Sequence, residues 1–184
     1  MASFVGMPIF LEDATGDLTN CDFVDYYNRM AFNVRCSMRN SECVAYVVSD
    51  TLASAGRGGL AVPVAYLVFG ANHALRTVQY GQKPAVQMEQ YLVKAARSSL
   101  SRRFPGTDGQ EYTWTFQSDG DCEWNCTNGS GYQVAAYDAE SKLSRNAGNE
   151  SRGKQLFIDE QHQHLAGELV TSLIIMRHIR KHAL

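Results

Sequence analysis

Five histidines are the side chains best able to move a proton or ligate a metal near neutral pH, and four of them fall in two close pairs. His162 and His164 stand in Gln161-His162-Gln163-His164, a spacing that on a strand sets both imidazoles on one face, toward a metal or a substrate. Asp159 and Glu160 are the only acids beside them. Metal centres normally declare more ligands, so a polar loop is the commoner reading. His178 and His182 share a helix face at i, i+4, but Arg177, Arg180 and Lys181 surround them in sequence and would repel a cation. The expectation is therefore no metal and no cofactor.

The remaining candidates are cationic and aromatic. Lys94, Arg97, Arg102 and Arg103 form a run without an intervening acid, suited to a phosphate or an anionic lipid headgroup, with a solvated face as the plainer reading. In the run 111–117, Tyr112, Trp114 and Phe116 recur at every second position and share a strand face. Tyr112 and Trp114 could stack on a ligand, although alternating rings are more often core. Cys122 and Cys126 are separated by three intervening residues and no second pair follows, which disfavours a zinc or redox site. Gly56-Arg57-Gly58-Gly59 lacks the lysine and hydroxyl ending of a phosphate loop and reads as a turn. Hydrolase signatures such as the nucleophile elbow are absent.

These residues need elements to position them. With 184 residues, 45% hydrophobic and 20% charged, the chain suits one ordinary domain. A net charge of −2 offers nothing to attract nucleic acid broadly. The first residues lack a basic segment ahead of an apolar core, so a signal peptide is not expected and a cytoplasmic location is. The odd count of five cysteines is then read as free thiols, mostly buried, and the sequons at Asn125, Asn128 and Asn149 as polar loops. Short apolar runs punctuated by Gly, Asn, Asp and Ser predict strands over 21–27, 30–37, 42–49, 62–69, 74–80, 111–117 and 132–137. Asp119-Gly120 and Asn128-Gly129 supply hairpin turns between such runs. The stretch 84–100 fits a short helix or a strand and turn, 139–153 a long surface loop, and 1–20 a loosely attached arm.

The segment 169–176 is nearly apolar all round, with Glu168 before it and Arg177, Arg180, Lys181 and His182 behind. Eight apolar residues fall far short of the roughly 20 needed to span a bilayer. Charges of these signs at these ends complement a helix dipole, and an all-round apolar helix must be enclosed. A buried strand is the competing reading, because Val170, Thr171, Ile174 and Ile175 are β-branched.

The stretch Arg103-Phe104-Pro105-Gly106-Thr107-Asp108-Gly109-Gln110-Glu111-Tyr112-Thr113-Trp114 resembles a motif of an uncharacterised fungal family within the tubby-like group, which includes LURP-one-related proteins and phospholipid scramblases. Val134 to Tyr137, Leu156 to Ile158 and Glu168 to Thr171 follow in the matching order, so the resemblance covers roughly 46–181. It implies a mainly β fold: a closed antiparallel barrel around a hydrophobic C-terminal helix, with anionic lipid as a ligand of related domains. The function expected is a non-catalytic binding module for anionic lipid or a small hydrophobic ligand. The alternatives are an enzyme with a pocket at a barrel end, using His162, His164, Glu160, Tyr112 or a cysteine, and a carbohydrate-binding defence protein.

Overall fold

Buried and open positions alternate along most strands, as a pleated backbone with one face on a core demands. In the computed structural model, which describes residues 6–53, 61–119, 122–138 and 154–184, the strands are β1 (Ile9–Asp13), β2 (Cys21–Asp25), β3 (Ala31–Arg39), β4 (Cys43–Asp50), β5 (Val62–Gly70) and β6 (Leu75–Tyr80). They continue with β7 (Val86–Gln87), β8 (Val93–Lys94), β9 (Ser101–Pro105), β10 (Glu111–Phe116), β11 (Trp124–Asn128), β12 (Gln133–Asp138) and β13 (Lys154–Ile158). A four-residue helix, α1 (Met88–Tyr91), separates β7 from β8, and a 3-10 helix (Glu160–Leu165) leads into α2 (Ala166–His182). The expected loop 139–153 and the glycine turn 56–59 lie outside the described residues.

All thirteen strands join one antiparallel sheet in the order β7-β6-β5-β4-β3-β2-β1-β13-β12-β11-β10-β9-β8. Two meanders thus meet where the first and last strands pair, Ile9 opposite Ile158 and Asp13 opposite Lys154. Within the expected loose arm 1–20, β1 instead sits in the middle of the sheet, while residues 1–5 lie outside the described residues. Ile9 and Leu11 put its apolar face into the core, which ties that segment down. Hydrogen bonds do not close the sheet: its edges are the two-residue strands β7 and β8, and α1 packs against β6, β7, β8 and β9 between them. The stretch 84–100 is therefore strand, helix and strand in succession.

Every residue of α2 from Ala166 to Ile179 is buried. Helix wins over strand despite the β-branched residues because its ends are provided for. The Glu168 carboxylate lies in the first turn, and Ala183 closes the helix in the left-handed region with the Leu184 N–H donating to the Ile179 carbonyl at 3.1 Å. Its buried polar side chains all have partners, as enclosure requires. Thr171 and Ser172 hydroxyls donate to the Gly167 and Glu168 carbonyls, the Trp114 indole donates to Ser172 Oγ at 2.8 Å, and Arg177 meets Asp13 at 3.1 Å. None of the helices is long and apolar enough to cross a membrane among the described residues. No two of the cysteines are joined in a disulfide; Cys21, Cys43 and Cys126 are buried, Cys36 is exposed and Cys122 lies between.

Candidate functional site

Strand alternation divides the cationic run that sequence grouped together. Arg103 points outward, paired with Glu111 at 3.7 Å, and Lys94 and Arg97 are exposed. Arg102 points inward with Phe104 and is only 3% exposed; its guanidinium donates to the Leu92 carbonyl at 3.1 Å and the Ser99 carbonyl at 3.0 Å, holding the turn between β8 and β9. Arg102 is thus corrected from a surface ligand to an internal brace, and the cationic face has three members.

Tyr112 and Trp114 are core residues with no exposed ring face. Tyr112 Oη donates to Asp108 at 2.6 Å, and burial followed by that bond pushes the phenol well above its ordinary pKa. His162 and His164 do not share a strand face, because the chain turns there as a 3-10 helix. His162 is buried, bonded through Nδ1 to Asp159 at 2.9 Å and stacked on Tyr132, while the exposed His164 lies 3.8 Å from Asp108. Asp159 also accepts from Gln161 N and Tyr132 Oη. That cluster caps the 3-10 helix, and its only buried imidazole is spent on the cap.

A hollow lined by Asp17, Glu123, Lys154, Arg177, Arg180 and Lys181 is cationic in composition. Its two arginines are already engaged within the chain: Arg177 with Asp13, and Arg180 with Glu123 and the Phe116 ring.

Another space, the seam pocket, lies at the β7 edge of the sheet beside α1. Val78 and Tyr80 of β6, Lys83, Val86 of β7, Gln90 and Tyr91 of α1, Pro105 of β9 and Glu168 of α2 line a pocket of about 250 Å³. Apolar walls with a few convergent polar groups are the usual make-up of a small-molecule site. Two of the polar groups here are incompletely used. Tyr91 Oη is buried without a partner among the described residues. Glu168 accepts both the Thr107 N–H, at 2.9 Å, and the Thr107 hydroxyl, at 3.0 Å, on Oε2 alone. Burial, reinforced by the Glu168 charge, raises the Tyr91 phenol well above its ordinary value and the Tyr80 phenol to about 12. Both phenols are therefore protonated donors at neutral pH. Nothing local in the sequence signals this pocket, because its walls come from four separate parts of the chain.

At the other end of α2 the structure brings a third imidazole to the helical pair. His73, on the turn between β5 and β6, lies against His178 and His182, and one ligand nitrogen from each falls within 4.8 Å of the other two.

Residues 17–182 match a family of unknown function, DUF6593. The chain belongs to that family. The match takes in both the seam pocket and the histidine cluster, so both are built within the DUF6593 region. No curated protein and no solved structure matches the chain.

Proposed function

We propose that this DUF6593 chain is a non-catalytic binding module whose site is the seam pocket, taking a small, mostly apolar molecule that carries one hydroxyl- or amide-like group. The carrying observation is Tyr91 Oη, a buried donor with no partner among the described residues, in a pocket whose wall also holds the Glu168 carboxylate. An unpartnered buried hydroxyl costs on the order of 1–3 kcal/mol, which a ligand acceptor relieves. A ligand donor would find Glu168, and Lys83 stands in the wall for a partial negative charge. At about 250 Å³ the space is just below the roughly 300–1,000 Å³ of drug-sized sites, so the ligand is small.

In the same reading the architecture is a tubby-like barrel. Its edges, β7 and β8, are joined through α1, so the sheet wraps α2 and leaves one seam, and the seam is where the ligand enters. Lys94, Arg97 and Arg103 leave a smaller face for anionic lipid than the run of four suggested, which favours the small-molecule reading over the lipid one.

Binding of the hydrophobic fluorophore anilinonaphthalene sulfonate to the folded chain tests this. Val86→Trp fills the pocket from a part-exposed position and should reduce binding at least tenfold at unchanged melting temperature. Tyr91→Phe should bind a hydroxyl-bearing competitor more weakly while the apo protein becomes equally or more stable. Fluorophore binding that Val86→Trp leaves unaltered would exclude the seam as the site.

A further inference from the structure

We propose that His73, His178 and His182 form a three-imidazole site for a first-row divalent cation, zinc by its chemistry, with the fourth coordination position open to solvent. The site lies at the opposite end of α2 from the seam pocket and does not depend on that reading.

The residues come from two elements 105 positions apart. His178 and His182 occupy successive turns of one face of α2. His73 sits on the tight turn between β5 and β6 with φ of 67°, fixed by its N–H donating to the Gly70 carbonyl at 2.9 Å and by the Gly70 N–H donating to the Ala74 carbonyl at 2.8 Å. The turn is latched to the helix by His178 Nε2, which lies 2.8 Å from the His73 carbonyl. A carbonyl only accepts, so Nε2 carries a proton and the bond fixes the ring's orientation, leaving Nδ1 as the nitrogen of His178 that would take a metal.

The rings themselves are packed together. His73 and His182 stack at 3.8 Å between centroids with planes 11° apart, His178 and His182 approach to 4.5 Å, and Phe69 stacks on the far face of His178 at 3.9 Å. Metal–nitrogen bonds of about 2.0–2.1 Å in a tetrahedral site put ligand nitrogens about 3.3 Å apart. Loading therefore draws the nitrogens together from within 4.8 Å and turns His73 and His182 off each other. Both can turn, because His73 is exposed and His182 half-exposed, whereas His178 is the fixed ligand. Three nitrogen donors without a thiolate or carboxylate suit zinc, copper or nickel, and a fourth position left to water is the open form of such a site.

The cations that argued against this pair from sequence are mostly directed elsewhere. Arg177 is bound to Asp13 and the Gly16 carbonyl, and Arg180 to Glu123 and the Phe116 ring, on another side of the helix. Lys181 is the cation that still acts on His178 and His182. Against it stands the helix C-terminus, whose carbonyl dipoles favour positive charge.

The test is titration of the metal-free full chain with zinc alone, by calorimetry, in a Cys36→Ser, Cys122→Ser background that removes the two accessible thiols. One zinc per chain is expected. His73→Asn, which tolerates the left-handed backbone, and His182→Gln should each weaken binding at least tenfold and abolish the zinc-dependent rise in melting temperature, while His162→Gln leaves both intact. Cobalt should give the visible absorption of a four-coordinate nitrogen and oxygen site. Zinc affinity equal in the wild type and in the His73→Asn, His182→Gln double variant would overturn the proposal, as would the absence of stoichiometric binding or a cobalt–thiolate band.

Discussion

Replacing Arg177 by methionine should destabilise the fold by about 3–5 kcal/mol, because it strands a buried carboxylate. Asp13 ends β1 with no exposed surface, and its Oδ2 accepts from Arg177 Nη1 at 3.1 Å and Tyr137 Oη at 2.9 Å. Its Oδ1 accepts from the Gly16 N–H at 2.9 Å. Arg177 adds a bond from Nη2 to the Gly16 carbonyl at 2.7 Å, and its guanidinium lies 4.7 Å from the Tyr137 ring centre. Methionine keeps most of the apolar stem, so the charge is what is lost. In a domain this size each kcal/mol moves the melting temperature by about 2–4 °C, giving a fall of roughly 6–20 °C. Urea unfolding followed by circular dichroism measures it. The cycle partner is Asp13→Leu with Tyr137→Phe, which also removes the hydroxyl left without an acceptor. Combined with Arg177→Met, that partner should recover most of the loss, because an apolar replacement of a buried pair is often neutral. A cost below about 1 kcal/mol for Arg177→Met would mean that Asp13 reaches water in solution, and would refute the claim that this pair anchors α2 to β1.

Leu173 is fully enclosed, so Leu173→Asp should leave no soluble folded protein, read by circular dichroism and gel filtration; a folded variant would show that α2 is not interior. Gly167→Ala should cost about 1–3 kcal/mol in urea unfolding, because a Cβ there would lie 2.7 Å from Val64 Cγ1 and 3.1 Å from Tyr80 Oη. Burial works against the charge of Asp25, but Arg29 and the Phe10 and Arg29 backbone N–H groups outweigh it and hold the carboxyl below its ordinary value. Its stabilisation is therefore complete above the unfolded value of about 3.9 and is lost as pH falls through the lower folded value. Asp25→Asn should flatten the stability profile in that acid range, and an unchanged profile would show that other carboxylates set it.

Short apolar runs bounded by turn residues made seven strands readable, β2–β6, β10 and β12, and in β10 the rings at every second position also showed which face is buried. The two-residue edges β7 and β8 are too short to have a period, and in β11 the buried Trp124 and Cys126 are interrupted by Asn125 and followed by Thr127 and Asn128, so no apolar run shows. The motif from Arg103 to Trp114 was legible as a pattern but not as a part. Phe104, Tyr112 and Trp114 fill the core, and a Cβ on Gly106 would lie 2.7 Å from the Tyr112 ring. The same alternation could have sorted the basic run, because Arg102 shares the inward face of Phe104 whereas Arg103 does not. The sites were less legible. His73 is joined to His178 by the pairing of β5 with β6 and the seating of α2, and no residue near it announces that meeting.

The all-round apolar character of α2 also determines where function can sit. A helix enclosed by a sheet can carry polar chemistry only where each polar atom has a partner, and along its middle those partners are its own carbonyls and the Trp114 indole. Its ends differ, because terminal N–H and carbonyl groups and the loops around them supply open valences. At the N-terminal end Glu168 faces the seam with Tyr91, and at the C-terminal end His178 and His182 meet the turn carrying His73. The two sites are separated by most of a helix about 25 Å long, so any coupling between them requires a shift of α2 within the core. Zinc that tightened the C-terminal turn without altering fluorophore affinity at the seam would show that the core holds α2 too firmly for such a shift.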